Sequence, residues 1–161
     1  MIVYLTNNEI DRDQWDTCIR NSHELKPYGY SWYLDCMAPG WQALVDDDYD
    51  SVFPLPGFTR LGIKYIATPV FLQQLGAFSP DKPSPGMLNE FLEYLPGFYK
   101  LVDLCVGQLV DHEGFRITEK ANFELDMSRP YEMLRRNFTT HCKRNIESSS
   151  KKKPHLVTDI T

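Results

Sequence analysis

With 161 residues, 42% of them apolar and 13% aromatic, the chain can build one sizeable core without disulfide or metal staples, which argues against global disorder. Its formal charge of −5 conceals an asymmetry. Arg135 to Lys153 holds seven Lys or Arg against one acid, Glu147, a net +6, so the remainder is an acidic body at −11. No apolar run approaches the roughly 20 residues that cross a bilayer, and Met1 to Asn8 lacks the order of a signal peptide, so the expected location is cytoplasmic with no membrane span.

In chain order, Ile2 to Thr6 reads as a short strand. A helix follows from about Asp11 to Asn21, with Asp11 as N-cap and Ile10, Trp15, Cys18 and Ile19 on one face. Tyr30 to Met37 has the density of a second helix, stopped by Ala38-Pro39-Gly40. Trp41 to Val45 and Ser51 to Pro56 flank Asp46-Asp47-Asp48-Tyr49-Asp50, the pattern of an antiparallel hairpin with an acidic turn. That turn lacks the Gly and Glu of a calcium loop and is expected to be solvated.

Ile63 to Ala67 continues the sheet, and Pro69 to Ser79 is an apolar segment carrying the polar pair Gln73-Gln74. Met87, Leu88, Phe91, Leu92 and Leu95 recur at helical spacing up to Pro96-Gly97. Tyr99 to Val106 and Phe115 to Leu125 read as two further strands. One long helix is then expected from Ser128 as N-cap, with Tyr131, Leu134, Phe138, Cys142, Asn145 and Ile146 along one stripe, flanked by Arg135, Arg136, Lys143 and Arg144. Ser148 to Pro154 should stop it, and His155 to Ile160 looks like the opening of another strand. The expected fold class is α+β, a mixed and mainly antiparallel sheet flanked by helices. Residues 1–150 make one domain, and 151–161 a linker and the start of a missing second half.

The residues constrain chemistry mostly by exclusion. Cys18, Cys36, Cys105 and Cys142 form no CxxC pair and sit among apolar neighbours, so reduced, buried thiols are expected. His23, His112, His141 and His155 fall in different elements, without HExxH, GxSxG or zinc spacing, so no metal is expected. Neither a P-loop nor GxGxxG is present. The basic C-terminal helix would suit a phosphate-bearing substrate, an acidic protein face or, less readily with so acidic a body, nucleic acid.

The starting strand and Trp-bearing helix, Tyr30-Ser31-Trp32-Tyr33-Leu34, Trp41-Gln42-Ala43-Leu44-Val45 and Gln73-Gln74-Leu75-Gly76, then Tyr131 through Asn137-Phe138 and Lys143-Arg144-Asn145-Ile146, together resemble the N-terminal half of FemAB-like proteins of the GNAT superfamily. That group transfers acyl or aminoacyl groups to amines, and includes enzymes that build peptidoglycan cross-bridges. The resemblance implies a GNAT-like half that is inactive alone, completed by a second GNAT-like half in the same full-length chain. Acyl-CoA or aminoacyl-tRNA would serve the complete protein, with no cofactor held by this chain. The GNAT pyrophosphate turn, [QR]xxGx[GA], is not matched by Gln73-Gln74-Leu75-Gly76-Ala77, so the donor site falls to the second half. For this half the resemblance implies one wall of a cleft, where Tyr30, Trp32, Gln73, Gln74, Arg136, Lys143 and Arg144 would hold a phosphate-bearing acceptor. His141, Asp35 and Glu124 have the chemistry of a base, and no spacing singles one out. The alternative is a non-catalytic interaction module docking through its basic C-terminal helix; nucleic acid enters at most as a tRNA.

Overall fold

The computed structural model describes residues 1–82, 84–108 and 110–152, Pro85 by its backbone. The fold is α+β, with two three-stranded sheets and, among the described residues, five α-helices. It divides into two compact units, 1–117 and 118–161. The strand expected from His155 lies outside the described residues.

The first unit is built around a sheet in the order β1 (Val3–Leu5), β2 (Gln42–Asp46), β3 (Ser51–Leu55), antiparallel throughout. Every residue of β3 is buried, because both faces of this sheet are covered. Ala43, Val45 and Val52 pack with Trp15, Ile19 and Leu34 on one side. Leu44, Phe53 and Leu55 pack with Ile66, Leu88 and Phe91 on the other. Pro54 is tolerated in β3 because that strand lies at the end of the ladder.

Trp15, Cys18 and Ile19 come from α1 (Arg12–Asn21), capped by Asp11, whose carboxylate accepts from the backbone N–H of Asp13 and Gln14. Ser31 opens α2 (Ser31–Met37), and its N–H and hydroxyl both donate to Asp16 of α1, at 2.7 and 2.8 Å. The Asp46 to Asp50 turn places Asp47, Asp48 and Tyr49 at positive φ, and the amino group of Met1 pairs with Asp46 and Asp47.

The second sheet has the order β4 (Gly57–Arg60), β5 (Ile63–Ala67), β6 (Tyr99–Asp103). Its antiparallel hairpin turns through Leu61 and Gly62, both at positive φ, as a two-residue turn between twisted strands requires. Sequence alone does not single out β4, since Pro54 and Pro56 punctuate the run leading into it. β6 pairs in parallel with β5 after α3 (Pro85–Glu93), which Ser84 caps by accepting from Met87 N–H at 3.2 Å. Tyr99 reaches from β6 to β2, donating its hydroxyl to Gln42.

Two expected elements differ. Residues 115–125 form no strand: an alternating pattern supplies an apolar face but not a hydrogen-bonding neighbour, and no strand pairs with this stretch among the described residues. The long C-terminal helix is broken into α4 (Tyr131–Arg136) and α5 (Thr140–Lys151). Thr139 causes the break by capping α5, its hydroxyl accepting from Cys142 N–H at 3.2 Å. The expected stripe from Tyr131 to Ile146 therefore spans two helical phases. Ser128 is not the N-cap; its hydroxyl and N–H both donate to Asp126, at 2.6 and 3.0 Å, and Pro130 leads into α4.

Candidate functional site

The site residues expected from sequence fall in both units. In 1–117, Tyr30 precedes α2 and packs half-buried against the Trp15 core, whereas Trp32 on α2 is exposed. Trp32 meets Tyr33 edge-on at 5.4 Å, Tyr33 meets Tyr28 at 5.6 Å, and the Tyr28 hydroxyl donates to Gln73 at 3.2 Å. Trp32 and Gln73 thus belong to one aromatic cluster. Tyr33 ties it to the loop 69–72 by donating to the Phe71 carbonyl at 2.9 Å, and Phe71 itself is exposed at a φ of 72°. Sequence reasoning misses Tyr28 and Tyr33 as members of this cluster; the density of four aromatics between Tyr28 and Tyr33 is the signal that could have found them.

Gln74 points the other way and is buried, its carboxamide oxygen 3.0 Å from where a Cβ on Gly107 would stand. Gly76 has a packing role: the Gln108 carboxamide occupies the place of its missing Cβ, at 2.6 Å. Gln108 clamps Ala77 from both sides, accepting from its N–H at 2.9 Å and donating to its carbonyl at 2.6 Å. Leu75 N–H donates to Cys105 O at 2.8 Å, and Phe78 N–H to Val52 O at 2.8 Å. The amides of Leu75, Ala77 and Phe78 are thus all committed to partners within the fold.

The candidate bases are differently employed. Asp35 accepts from the Trp41 indole N–H at 2.8 Å and from Arg12 at 3.2 Å, and so supports the core. Glu124 is exposed and accepts from Asn122 at 3.1 Å. His141 on α5 is held at both nitrogens, with Arg144 at 3.1 Å from Nδ1 and Asn145 at 3.1 Å from Nε2. A guanidinium only donates, so Nδ1 accepts from Arg144.

Cys18 is buried, its Sγ 3.7 Å from Phe78 O and 3.8 Å from Asp50 O, and burial, with the Asp50 carboxylate adding, pushes the thiol up to about 11. Cys36 is exposed and Cys105 and Cys142 are only partly buried, which corrects the expectation of four buried thiols. Cys36 occupies the outer face of α2, away from the core that its neighbour Leu34 enters. No group of His, Cys, Asp or Glu able to hold a metal ion occurs among the described residues.

In 118–152, Arg135, Arg136 and Lys143 line one open cleft of about 400 Å³ with Glu132. The break at Asn137 to Thr139 makes this possible, since it lets α5 bring Lys143 back to the end of α4. There the Lys143 ammonium donates to the Arg136 carbonyl at 3.1 Å, a cation placed at a helix C-terminus. Arg135 pairs with Glu147 of α5 at 3.1 Å, which joins the two helices. The Arg136 guanidinium has no side-chain partner among the described residues. Arg144 lies with His141 rather than in the cleft. Arg135 and Glu132 complete the cleft; the sequence places Arg135 beside the stripe and does not single out Glu132.

Comparison with known proteins finds no matching family model, no matching curated protein and no matching solved structure. No helix among the described residues is long and apolar enough to cross a membrane.

Proposed function

We propose that this chain is the GNAT-like, FemAB-like half of an acyl- or aminoacyl-transferase, which holds a phosphate-bearing substrate while a second GNAT-like half completes the reaction centre. The observation that carries this reading is the meeting of Arg135, Arg136 and Lys143 at one cleft, two of them residues that the FemAB resemblance nominates. The resemblance gives this half a phosphate-bearing acceptor, and a planar guanidinium such as Arg136 suits bidentate contact with its phosphates. Lys143 would exchange the Arg136 carbonyl for a phosphate oxygen. Transfer to an amine needs donor and acceptor held together, a proton acceptor and donors at the developing oxyanion. This half would contribute the positioning and show no turnover alone.

The test is equilibrium binding of the full chain to coenzyme A, to tRNA and to inorganic pyrophosphate at low salt. Binding of at least one, weakened roughly tenfold or more by Arg136→Ala with Lys143→Ala, is the expected result, with a shallower salt slope for tRNA. Absence of binding to all three at low salt rejects the reading.

A further inference from the structure

The second sheet buries one of its faces and leaves the other bare. Side chains alternate along a strand, and Ile66, fully buried, and Val102, half-buried, turn into the core that Phe53 and Phe91 fill. Their neighbours turn outward. Phe58, Tyr65 and Leu101 stand directly across from one another on β4, β5 and β6 and form one row over all three strands. The rings of Phe58 and Tyr65 stack at 5.6 Å between centroids, as side chains on a shared face do. Ile63, two residues before Tyr65, widens this apolar surface, and Ile63 and Leu101 are 55% and 59% exposed.

Two charges frame the row. Arg60 lies across from Ile63, and Asp103 across from Ala67, so one stands two residues below the level of Tyr65 and the other two residues above it, on the two outer strands. Alternation puts Arg60 on the face of Phe58 and Asp103 on the face of Leu101. The two charges therefore hold diagonally opposite corners. Both are exposed, and neither has an ion-pair partner among the described residues. Opposite charges at opposite corners of an apolar centre make the face complementary to itself. A twofold axis lying in the interface, over Tyr65 and across that diagonal, sets each copy's Arg60 on the other's Asp103 and brings the apolar centres together.

We propose that this outer face is where two copies of the chain meet, as a symmetric dimer with Tyr65 at its centre and two Arg60–Asp103 ion pairs at its edges. A lipid surface would gain nothing from one base and one acid at opposite corners. Three short strands offer less than the roughly 800 Å² per partner of a standard interface, so the dimer is weak and forms at high concentration. The inference does not rest on the acyl-transfer reading, and its test involves no substrate of that reaction.

The experiment is sedimentation equilibrium of the full chain from about 10 µM to about 1 mM. Reversible dimerisation is expected. Leu101→Asp should weaken it roughly tenfold or more by placing a carboxylate in the apolar centre. Arg60→Glu alone and Asp103→Arg alone should each weaken it severalfold, since each sets like charges against each other at both edges. An equimolar mixture of these two variants should regain the association, because only the mixed dimer has opposite charges at both edges. The substituted positions are exposed, and circular dichroism verifies that each variant is folded. A chain that stays monomeric up to about 1 mM overturns the proposal. So does a mixture no more associated than its components, or association that Leu101→Asp leaves intact. Association abolished by Arg136→Ala with Lys143→Ala but not by Leu101→Asp also overturns it, assigning the contact to the basic helices of one copy against the acidic unit of another.

Discussion

The indole rings of Trp15 and Trp41 meet at 4.7 Å between centroids and 59° between planes, both fully buried, and each N–H finds an acceptor. Trp15 donates to the Gly29 carbonyl at 2.8 Å and Trp41 to the Asp35 carboxylate at 2.8 Å. The pair joins α1 to the entry of β2, and Arg12 lies over the Trp41 ring at 5.7 Å. Trp15→Ala should therefore cost about 3–5 kcal/mol, the usual range for removing a large buried ring. Asp35→Ala should cost nearer about 1 kcal/mol, because water can reach the orphaned Trp41 N–H from the exposed side of α2. Urea denaturation of the two variants distinguishes these values.

Gly29 and Gly40 should respond to alanine for different reasons. A Cβ on Gly29 would stand 2.7 Å from Phe78 Cζ and 3.0 Å from Ile19 Cδ1, so Gly29→Ala overpacks the core, at about 1–3 kcal/mol. Phe78→Leu should recover part of that loss in a double-mutant cycle. Gly40 has open space around it but a φ of +80°, so Gly40→Ala costs about 1 kcal/mol in backbone strain, with no compensating partner.

Thiol labelling of the folded chain at pH 8 should modify Cys36 first and Cys18 last, since Cys36 is exposed to the reagent and Cys18 is buried. The Cys18 thiol is raised from its ordinary value of 9.0 to about 11. The folded state then holds a proton that the unfolded state releases between these values, so stability falls as pH rises from about 9 to about 11. Cys18→Ser should flatten this alkaline limb. A Cys18 that labels as fast as Cys36 in the folded chain contradicts the buried geometry.

On the acid side, Asp11 is lowered by its hydrogen bonds from the Gln14 side chain and from the helix amides, and Glu9 by those from Thr6. Depressed carboxylates stabilise the fold above their unfolded pKa, and that contribution disappears as pH falls through the folded values. Asp11→Asn keeps a capping oxygen without a charge. Its stability should thus depend less on pH below about 4 than that of the parent chain, as thermal melts across acid pH would record.

The joint between α4 and α5 is a local competition between helix continuation and capping by Thr139. Thr139→Ala should lose about 1 kcal/mol of cap stabilisation and raise the helical signal at 222 nm if the two helices then merge. Merging would carry Lys143 away from the Arg136 carbonyl, so the same variant should weaken any anion bound at the cleft.

Signals confined to neighbouring residues are legible in the sequence by itself. Asp11 as a cap, the 3.6-residue recurrence from Met87 to Leu92, the β2–β3 hairpin around its acidic turn and the concentration of charge after Arg135 all rest on residues a few positions apart. Where the outcome depends on distant partners, packing chooses. The alternating stretch 115–125 forms no strand because a strand needs a neighbour's amides as well as its own pattern, and β4 exists because β5 supplies them. Gln73 and Gln74, identical and adjacent in sequence, end in different surroundings, one exposed and bonded to Tyr28 and one buried beside Gly107. Arg136 and Lys143, seven positions apart and aligned on any continuous helix, instead meet end to end, because a single threonine hydroxyl outcompetes one helical turn.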